Sequence, residues 1–525
     1  APCDSRDWDS LAYHLAVPKI WIQAQQVTFV PGIHHANFPF TVDMLNVWGL
    51  QWGGQEGAKA FSLGWYVLGA MAVFGLTRRT FGPGPAPWAM LGFLGCPVAL
   101  WEAGTAYVDL PHGLFAGLGI LYACHSFVGK DQQAGWLATM CLGSAMGTKH
   151  TGIQVIVAVT LVGLALTAIT RAKSQGKQVA VVLLGALLIA SPWYIKSTVQ
   201  TGNPVYPFFY KQLGGKFWND WRADIYQAEQ KSFGPGYSPT QLGDAVFGLA
   251  YQPGRYVNPR QTEGGGFPTG SIGFAALALG FVAMCLAPMN RRSKAVLAVV
   301  GVCLAEWFVL SQQSRYLVMI VVPLAVVACG TLEKTKSKWL ARLAMGVQAA
   351  YSLGLIFATQ TLQQLPVVTG QVTREEYQRV VVPFFGPAQD ITASAEIKKL
   401  ALYDEVFGSY LNIPYMWANP GHSTLIPYES MTSGRDYADA MVNLGFSHAY
   451  VNLGPGIVDR QTATRWLEAM TSKPYSSEEL TAMKSDPNLW WRAVLADAVQ
   501  KGRLTVLRNW PSTGPVRALL FEFTR

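Results

Sequence analysis

The chain has 525 residues, half of them hydrophobic and only 14% charged, with a mean hydropathy of +0.21. Soluble domains carry roughly a quarter charged residues, so this composition excludes an ordinary soluble enzyme. The net charge of +9 and the pI near 9.1 raise a nucleic-acid partner, which the placement of the charge then removes.

The first segment, residues 1–57, is aromatic and rich in Pro and Gly, too long for a simple connection, and reads as an ordered external loop. It opens at Ala1 with neither an initiator Met nor an apolar run. A further membrane helix is therefore expected ahead of it, removed by processing or present in a longer chain. Ten apolar runs follow, at about 58–77, 86–104, 110–128, 134–149, 151–170, 177–195, 270–288, 294–311, 315–332 and 341–362. The loops between them alternate in charge. Every second one is basic: Arg78, Arg79, Lys130, Arg171, Lys173, Lys177, Arg291, Arg292, Lys294, Lys334, Lys336, Lys338 and Arg342 stand against Asp131 and Glu333. Thirteen basic and two acidic residues give these loops a surplus of eleven, more than the +9 of the whole chain. The basicity is a positive-inside signal that needs no nucleic acid, and it puts the other loops outside.

The expected architecture is an all-α polytopic membrane bundle over 58–362, including an external loop at 196–269, followed by an external α/β domain over 363–525. In that last domain, apolar alternation predicts strands at Ser447–Asn452, Leu504–Leu507 and Val516–Phe523, and helices at Gly434–Asn443 and Gln461–Met470. Gly264-Gly265-Gly266 in the external loop signals no more than flexibility. Six of the seven cysteines lie in apolar runs and read as small buried hydrophobes, and no zinc-type spacing occurs.

Charge at the end of a membrane helix is costly, so the external charges are the candidates for chemistry. Four places carry them: Asp7 to His14, Glu102 to Asp109, Gly147-Thr148-Lys149-His150, and Gln312 to Tyr316 with Arg315. Two carboxylates and two cations on one face suit deprotonation of an acceptor while an anionic, lipid-borne group departs. Simpler explanations stand beside this one. Asp9 and Asp109 each precede a helical stretch and fit N-caps, Lys149 and Arg315 fit snorkelling cations, and His34-His35 fits a solvated turn. Glu306, well inside a helix, pairs with a cation or lines a wet cavity.

These places, in this order, resemble the GT-C group of polytopic membrane glycosyltransferases that contains protein O-mannosyltransferases and the bacterial aminoarabinose transferase (family 39-like). Trp8-Asp9-Ser10-Leu11-Ala12-Tyr13-His14 stands for that group's first-loop acidic motif and Asn37-Phe38-Pro39-Phe40 for its Lys-Pro-Pro-like element. Tyr107-Val108-Asp109, Gly147-Thr148-Lys149-His150-Thr151-Gly152, Pro192-Trp193-Tyr194 with Gly202-Asn203-Pro204, and Arg315-Tyr316-Leu317 match the later ones. Ser10 stands where the group often has Glu, and Asn37 where it often has a phosphate-binding lysine. The resemblance implies inverting transfer of a sugar from a polyprenyl-phosphate donor to a protein, lipid or glycan acceptor on the outer side of the cytoplasmic membrane. Under it, Asp9 is the base, and Asp109 positions the acceptor or joins Asp9 in holding a divalent ion. Lys149, Arg315 and Lys19 take the lipid phosphate, with His34 and His35 as other candidates in place of the missing lysine. Tyr13, His14, Asn37, Glu102, His150 and Tyr316 line the substrates. The alternative is a silent subunit of a larger membrane complex, motivated by the missing Glu and Lys. Trp218, Trp221 and Tyr226 in the long loop fit either sugar stacking or interfacial anchoring.

Overall fold

A computed structural model of the chain describes residues 1–257, 269–454, 459–511 and 516–524; the Gly264-Gly265-Gly266 segment lies outside them. The chain divides into two compact units: residues 1–7, 38–196 and 227–373 form the first, and residues 8–37, 197–226 and 374–525 the second. The second unit includes α1 (Ala16–Ala24). The first is helical and begins with α2 (Asp43–Phe81), α3 (Ala86–Leu94), α4 (Pro97–Glu102), α5 (Asp109–Gly129), α6 (Gln132–Thr148), α7 (Thr151–Thr170) and α8 (Lys173–Thr201), which ends across the boundary. Further helices include Ala275–Leu286, Arg291–Leu310, Val318–Leu332 and Lys338–Ile356.

Among the described residues, seven helices are long and apolar enough to cross a membrane: Asp43–Phe81, Asp109–Gly129, Thr151–Thr170, Lys173–Thr201, Arg291–Leu310, Ser314–Leu332 and Lys338–Val368. The other three expected spans are shorter. The run at 134–149 is α6, of 17 residues, and the run at 270–288 gives only the 12-residue helix Ala275–Leu286. The run at 86–104 is broken into α3 and α4, because Cys96 stands before Pro97 and takes an extended backbone, φ −71° and ψ 119°. A proline ring disfavours the helical region for the residue before it, so the break is written into that dipeptide. At the other extreme, α2 starts fifteen residues before the expected 58, and helical geometry fails at Gly53 and at Gly54, whose φ of +62° suits glycine. The kink thus separates a short lead, Asp43 to Trp52, from the membrane-length helix.

Helices of the first unit pack through small residues. A Cβ added at Gly113 would lie 2.6 Å from Val318, and one at Gly119 would lie 2.7 Å from Leu142. Such close approach lets helices associate where lipid offers no hydrophobic drive. The Ser314–Leu332 helix is the central one: 89% of its most apolar window is buried.

The second unit is built from three separated stretches of chain. Its five-stranded sheet runs β2-β1-β3-β5-β4, with β1 (Leu400–Tyr403) parallel to β2 (Tyr415–Trp417) and β3 (His448–Asn452). The other two strands, β4 (Leu504–Trp510) and β5 (Ala518–Phe523), are antiparallel. Helices Gly434–Asn443 and Pro487–Gln500 supply its core with Tyr437, Trp490 and Trp491. The first-loop stretch is fastened in by Lys19, whose ammonium donates to the carbonyls of Ser409 at 2.8 Å and Leu411 at 2.9 Å. Arg222, fully buried, fastens the 197–226 stretch through Glu429 and the Ile426 carbonyl. The division therefore differs from sequence boundaries at 57 and 362: parts of two loops fold with the C-terminal segment.

Candidate functional site

In the first unit, three of the four charged places meet. Asp109 opens α5, is 1% exposed, and accepts from the ammonium of Lys149 through Oδ1. Its Oδ2 lies 3.9 Å from Nη1 of Arg315 and accepts no hydrogen bond from the described residues. Lys149 occupies the non-helical joint between α6 and α7, its ammonium 4.6 Å from the centre of the Tyr316 ring. Arg315, in the 3-10 turn Ser314–Leu317, has its guanidinium 5.4 Å from the Tyr107 ring and 5.5 Å from Tyr316. Aromatic faces hold cations with a contribution of about 0.5–2 kcal/mol each, without neutralising them.

Glu102 ends α4, is fully buried, and its Oε2 accepts the backbone N–H of Leu110 at 2.6 Å. The helix that Asp109 opens is therefore capped from Glu102, eight residues before Leu110. Asp109 itself makes no capping bond: the N-cap residue is Val108. This overturns the N-cap explanation of Asp109 and frees its carboxylate for the two cations. The snorkelling explanation also fails, since the Lys149 and Arg315 side chains are each only 15% exposed and face a carboxylate. His150 is half-buried in the same unit, its ring 4.9 Å from Phe38 and 5.9 Å from Tyr194.

Two polar features of this unit were not found from the sequence. Lys59, on α2, is 7% exposed and donates to Asp7 Oδ2 at 3.2 Å. Its signal was a lone cation in an apolar run, the same signal that singled out Lys149. The second is His112, taken up below. Glu306 on Arg291–Leu310 is half-buried, with Oε2 unpartnered among the described residues; no pairing cation is found for it.

The first charged place is split: Asp7 belongs to the first unit and Asp9, Tyr13, His14, Lys19 and Asn37 to the second. Asp9 is 8% exposed, precedes a single π-helical turn at Ser10–His14, and makes no side-chain cap, so its N-cap explanation fails as well. π-Turns inside or beside helices recur at functional positions. Tyr13 lies against His14, centroids 4.1 Å apart, and stacks on His35 at 4.4 Å. Asn37 is 2% exposed, donates to the His34 carbonyl, and leaves Oδ1 unpartnered among the described residues. Burial lowers the ammonium of Lys19 to a pKa of about 8, and its two carbonyl acceptors give it a fastening role.

His34 and His35 do not form a solvated turn. The His34 ring is 3% exposed and lies 4.0 Å from His35, 5.6 Å from His422, 5.3 Å from Trp218 and 6.1 Å from Trp417, centroid to centroid. Burial holds the His34 imidazole well below its usual range, and His35 and His422 add to this. Burial, with Arg222 adding, lowers His422 to about 4. Both rings are thus neutral in the folded unit. Below pH about 6.5 an unfolded chain binds protons that the folded one refuses, so stability is complete above that pH and falls from there toward pH 4. Tryptophan-monitored melting should show a lower Tm at pH 5 than at pH 7.5, and a smaller loss in His34→Phe/His422→Phe. Equal acid sensitivity in that variant would disprove the assignment.

Asp109 faces two positive charges, and no group of three or more His, Cys, Asp or Glu able to hold a metal occurs among the described residues.

Residues 53–195 match the family model described as dolichyl-phosphate-mannose-protein mannosyltransferase. By sequence, no curated protein matches. Among solved structures, the chain is similar to ArnT from Cupriavidus metallidurans bound to undecaprenyl phosphate, at 15% identity and a TM-score of 0.56, over 98% of this chain and 93% of that one. The apo state of the same ArnT matches at 14% identity and a TM-score of 0.56, over 98% and 92%. At such identity the likeness carries the fold and not the substrate. The chain thus shares the fold of ArnT, and its residues 53–195 resemble the dolichyl-phosphate-mannose-protein mannosyltransferase family.

Proposed function

We propose that the chain transfers a sugar from a polyprenyl-phosphate donor to an acceptor at the outer face of the cytoplasmic membrane, with inversion at the anomeric carbon. The observation that carries this reading is the pairing of Lys149 and Arg315 around Asp109, two cations held against aromatic rings at the ends of membrane helices. The ArnT of similar fold was solved with undecaprenyl phosphate, a ligand of that chemistry. The outer face is supported by the basic loops, which alternate along the chain with the joints at Asp109, Lys149 and Arg315.

In this reading Lys149 and Arg315 hold the lipid phosphate through charge-assisted hydrogen bonds, which gain strength where water is scarce. As the bond from the anomeric carbon to the phosphate oxygen breaks, the departing phosphate gains negative charge beside them. Asp9 takes the proton of the acceptor hydroxyl, whose oxygen attacks from the opposite face of the sugar, giving inversion. A phosphate competes with Asp109 for Lys149, and the carboxylate so released orients the acceptor. Glu102, Tyr316 and His150 are assigned to the donor, and Tyr13, His14 and Asn37 to the acceptor. A silent-subunit reading is favoured by Ser10 and Asn37 alone, both buried and neutral where the group often carries charge.

The test is ligand-dependent melting of the purified protein. Undecaprenyl phosphate is expected to raise Tm by several degrees and undecaprenol, which lacks the phosphate, by much less. Equal stabilisation by both would show that the cations do not read the phosphate.

A further inference from the structure

His112 follows Asp109 by three residues on α5, so the two side chains leave the same face of the helix. It is 1% exposed. Nδ1 lies 3.2 Å from the carbonyl of Ala145, and Nε2 lies 2.9 Å from the hydroxyl of Thr151. A carbonyl only accepts, so Nδ1 carries the proton and donates it to Ala145. In the neutral imidazole Nε2 then accepts from the Thr151 hydroxyl.

Both partners bear on Lys149. The Ala145 carbonyl also accepts the backbone N–H of Lys149 at 3.1 Å, and Thr151 is the first residue of α7, two beyond Lys149. Lys149 itself, at φ −154° and ψ 146°, has left one helix without entering the next. The joint is closed tightly: a Cβ at Gly152 would sit 2.5 Å from the backbone nitrogen of Met146. One ring on the Asp109 helix thus grips the joint both before and after Lys149.

The geometry points to His112 and Thr151 as a positioning pair that locks the Lys149 joint of α6 and α7 to the helix bearing Asp109, and so sets where the ammonium meets the donor phosphate. It rests on the reading of Lys149 as a phosphate ligand. Neither residue touches a reacting atom in that reading. Losing the lock lets the joint shift, and a misplacement of about 1 Å costs on the order of 100-fold in rate. A merely space-filling histidine would be replaced without penalty by an apolar ring.

The experiment compares Thr151→Val, which keeps shape and loses the donor, with Thr151→Ser, which keeps it, and His112→Phe with His112→Gln. All are made in the full chain in nanodiscs. Three quantities are read: donor KM against kcat, the Tm shift with undecaprenyl phosphate, and the rate of acylation of Lys149 by an amine reagent, followed by mass spectrometry. T151V and H112F are expected to raise KM roughly tenfold, shrink the Tm shift, and speed Lys149 acylation several-fold as the ammonium leaves Asp109, in line with the cost of misplaced binding groups. T151S and H112Q are expected to stay within roughly threefold of wild type on the same scale. Wild-type values for T151V, or equal impairment in T151V and T151S, would overturn the pairing; should H112F fail to fold, the Thr151 pair decides. If wild type shows no response to undecaprenyl phosphate yet T151V still speeds acylation, the phosphate reading falls and the lock stands.

Discussion

Lys149→Met is expected to abolish the undecaprenyl-phosphate Tm shift and to lower sugar transfer by at least 100-fold, on the scale of removing one preorganised group that stabilises developing negative charge. It should also destabilise the protein, because Asp109, at 1% exposure, is left with Arg315 at 3.9 Å as its remaining cation. Removing one partner of a buried pair costs about 3–5 kcal/mol, much of it the stranded charge. The 15% exposure of the lysine side chain brings this toward the lower end. Adding Asp109→Asn removes the stranded charge and is expected to recover most of the lost Tm. It will not recover transfer, since the phosphate still lacks its ligand. That divergence separates a functional pair from a structural one. If the double variant regained activity along with stability, the pair would be holding the fold and nothing more.

Asp9→Asn is expected to leave the undecaprenyl-phosphate Tm shift intact and to lower kcat by roughly 100- to 10,000-fold, the range for loss of a general base. Asp9 makes no capping hydrogen bond to the Ser10–His14 turn, so the amide does not remove a helix cap. Binding and chemistry should therefore separate: Lys149 variants lose donor retention, and the Asp9 variant keeps it. A D9N protein as active as wild type would remove Asp9 from the chemistry and leave the phosphate site untouched. A D9N protein that had also lost its response to undecaprenyl phosphate would place Asp9 at the donor instead.

Much of the bundle was legible because apolar length is a direct requirement of a bilayer, and because basic residues mark one side. Asp109, Lys149 and Arg315 were legible for the same reason: a charge at the end of an apolar run has little other excuse. The break at Cys96-Pro97 is hidden by the continuous apolarity of 86–104, although the dipeptide itself carries the signal. The cap on α5 is not local in sequence: Glu102 reaches it across a loop, whereas the sequence offers Asp109 beside the helix. Lys59 and His112 were missed inside apolar runs where a single polar residue barely alters the pattern, yet each is tied to a partner distant in sequence. Partners such as these, and such as His34 with His422, belong to tertiary structure, which no local periodicity encodes. Likewise β1 and β2, four and three residues long, are too short for alternation to show. The folding of residues 8–37 and 197–226 with the C-terminal segment depends on Lys19 and Arg222, whose acceptors lie about 200 to 400 residues away.

The most direct measurement is turnover with polyprenyl-phosphate donors carrying a ¹³C label at the anomeric carbon, presented in nanodiscs with a membrane extract as the source of acceptor. Wild type is predicted to release polyprenyl phosphate and place the label on an acceptor with inverted configuration, with both signals lost in D9N and K149M. Release of polyprenyl phosphate at equal rates by wild type, D9N and K149M, or transfer with retained configuration, would contradict it.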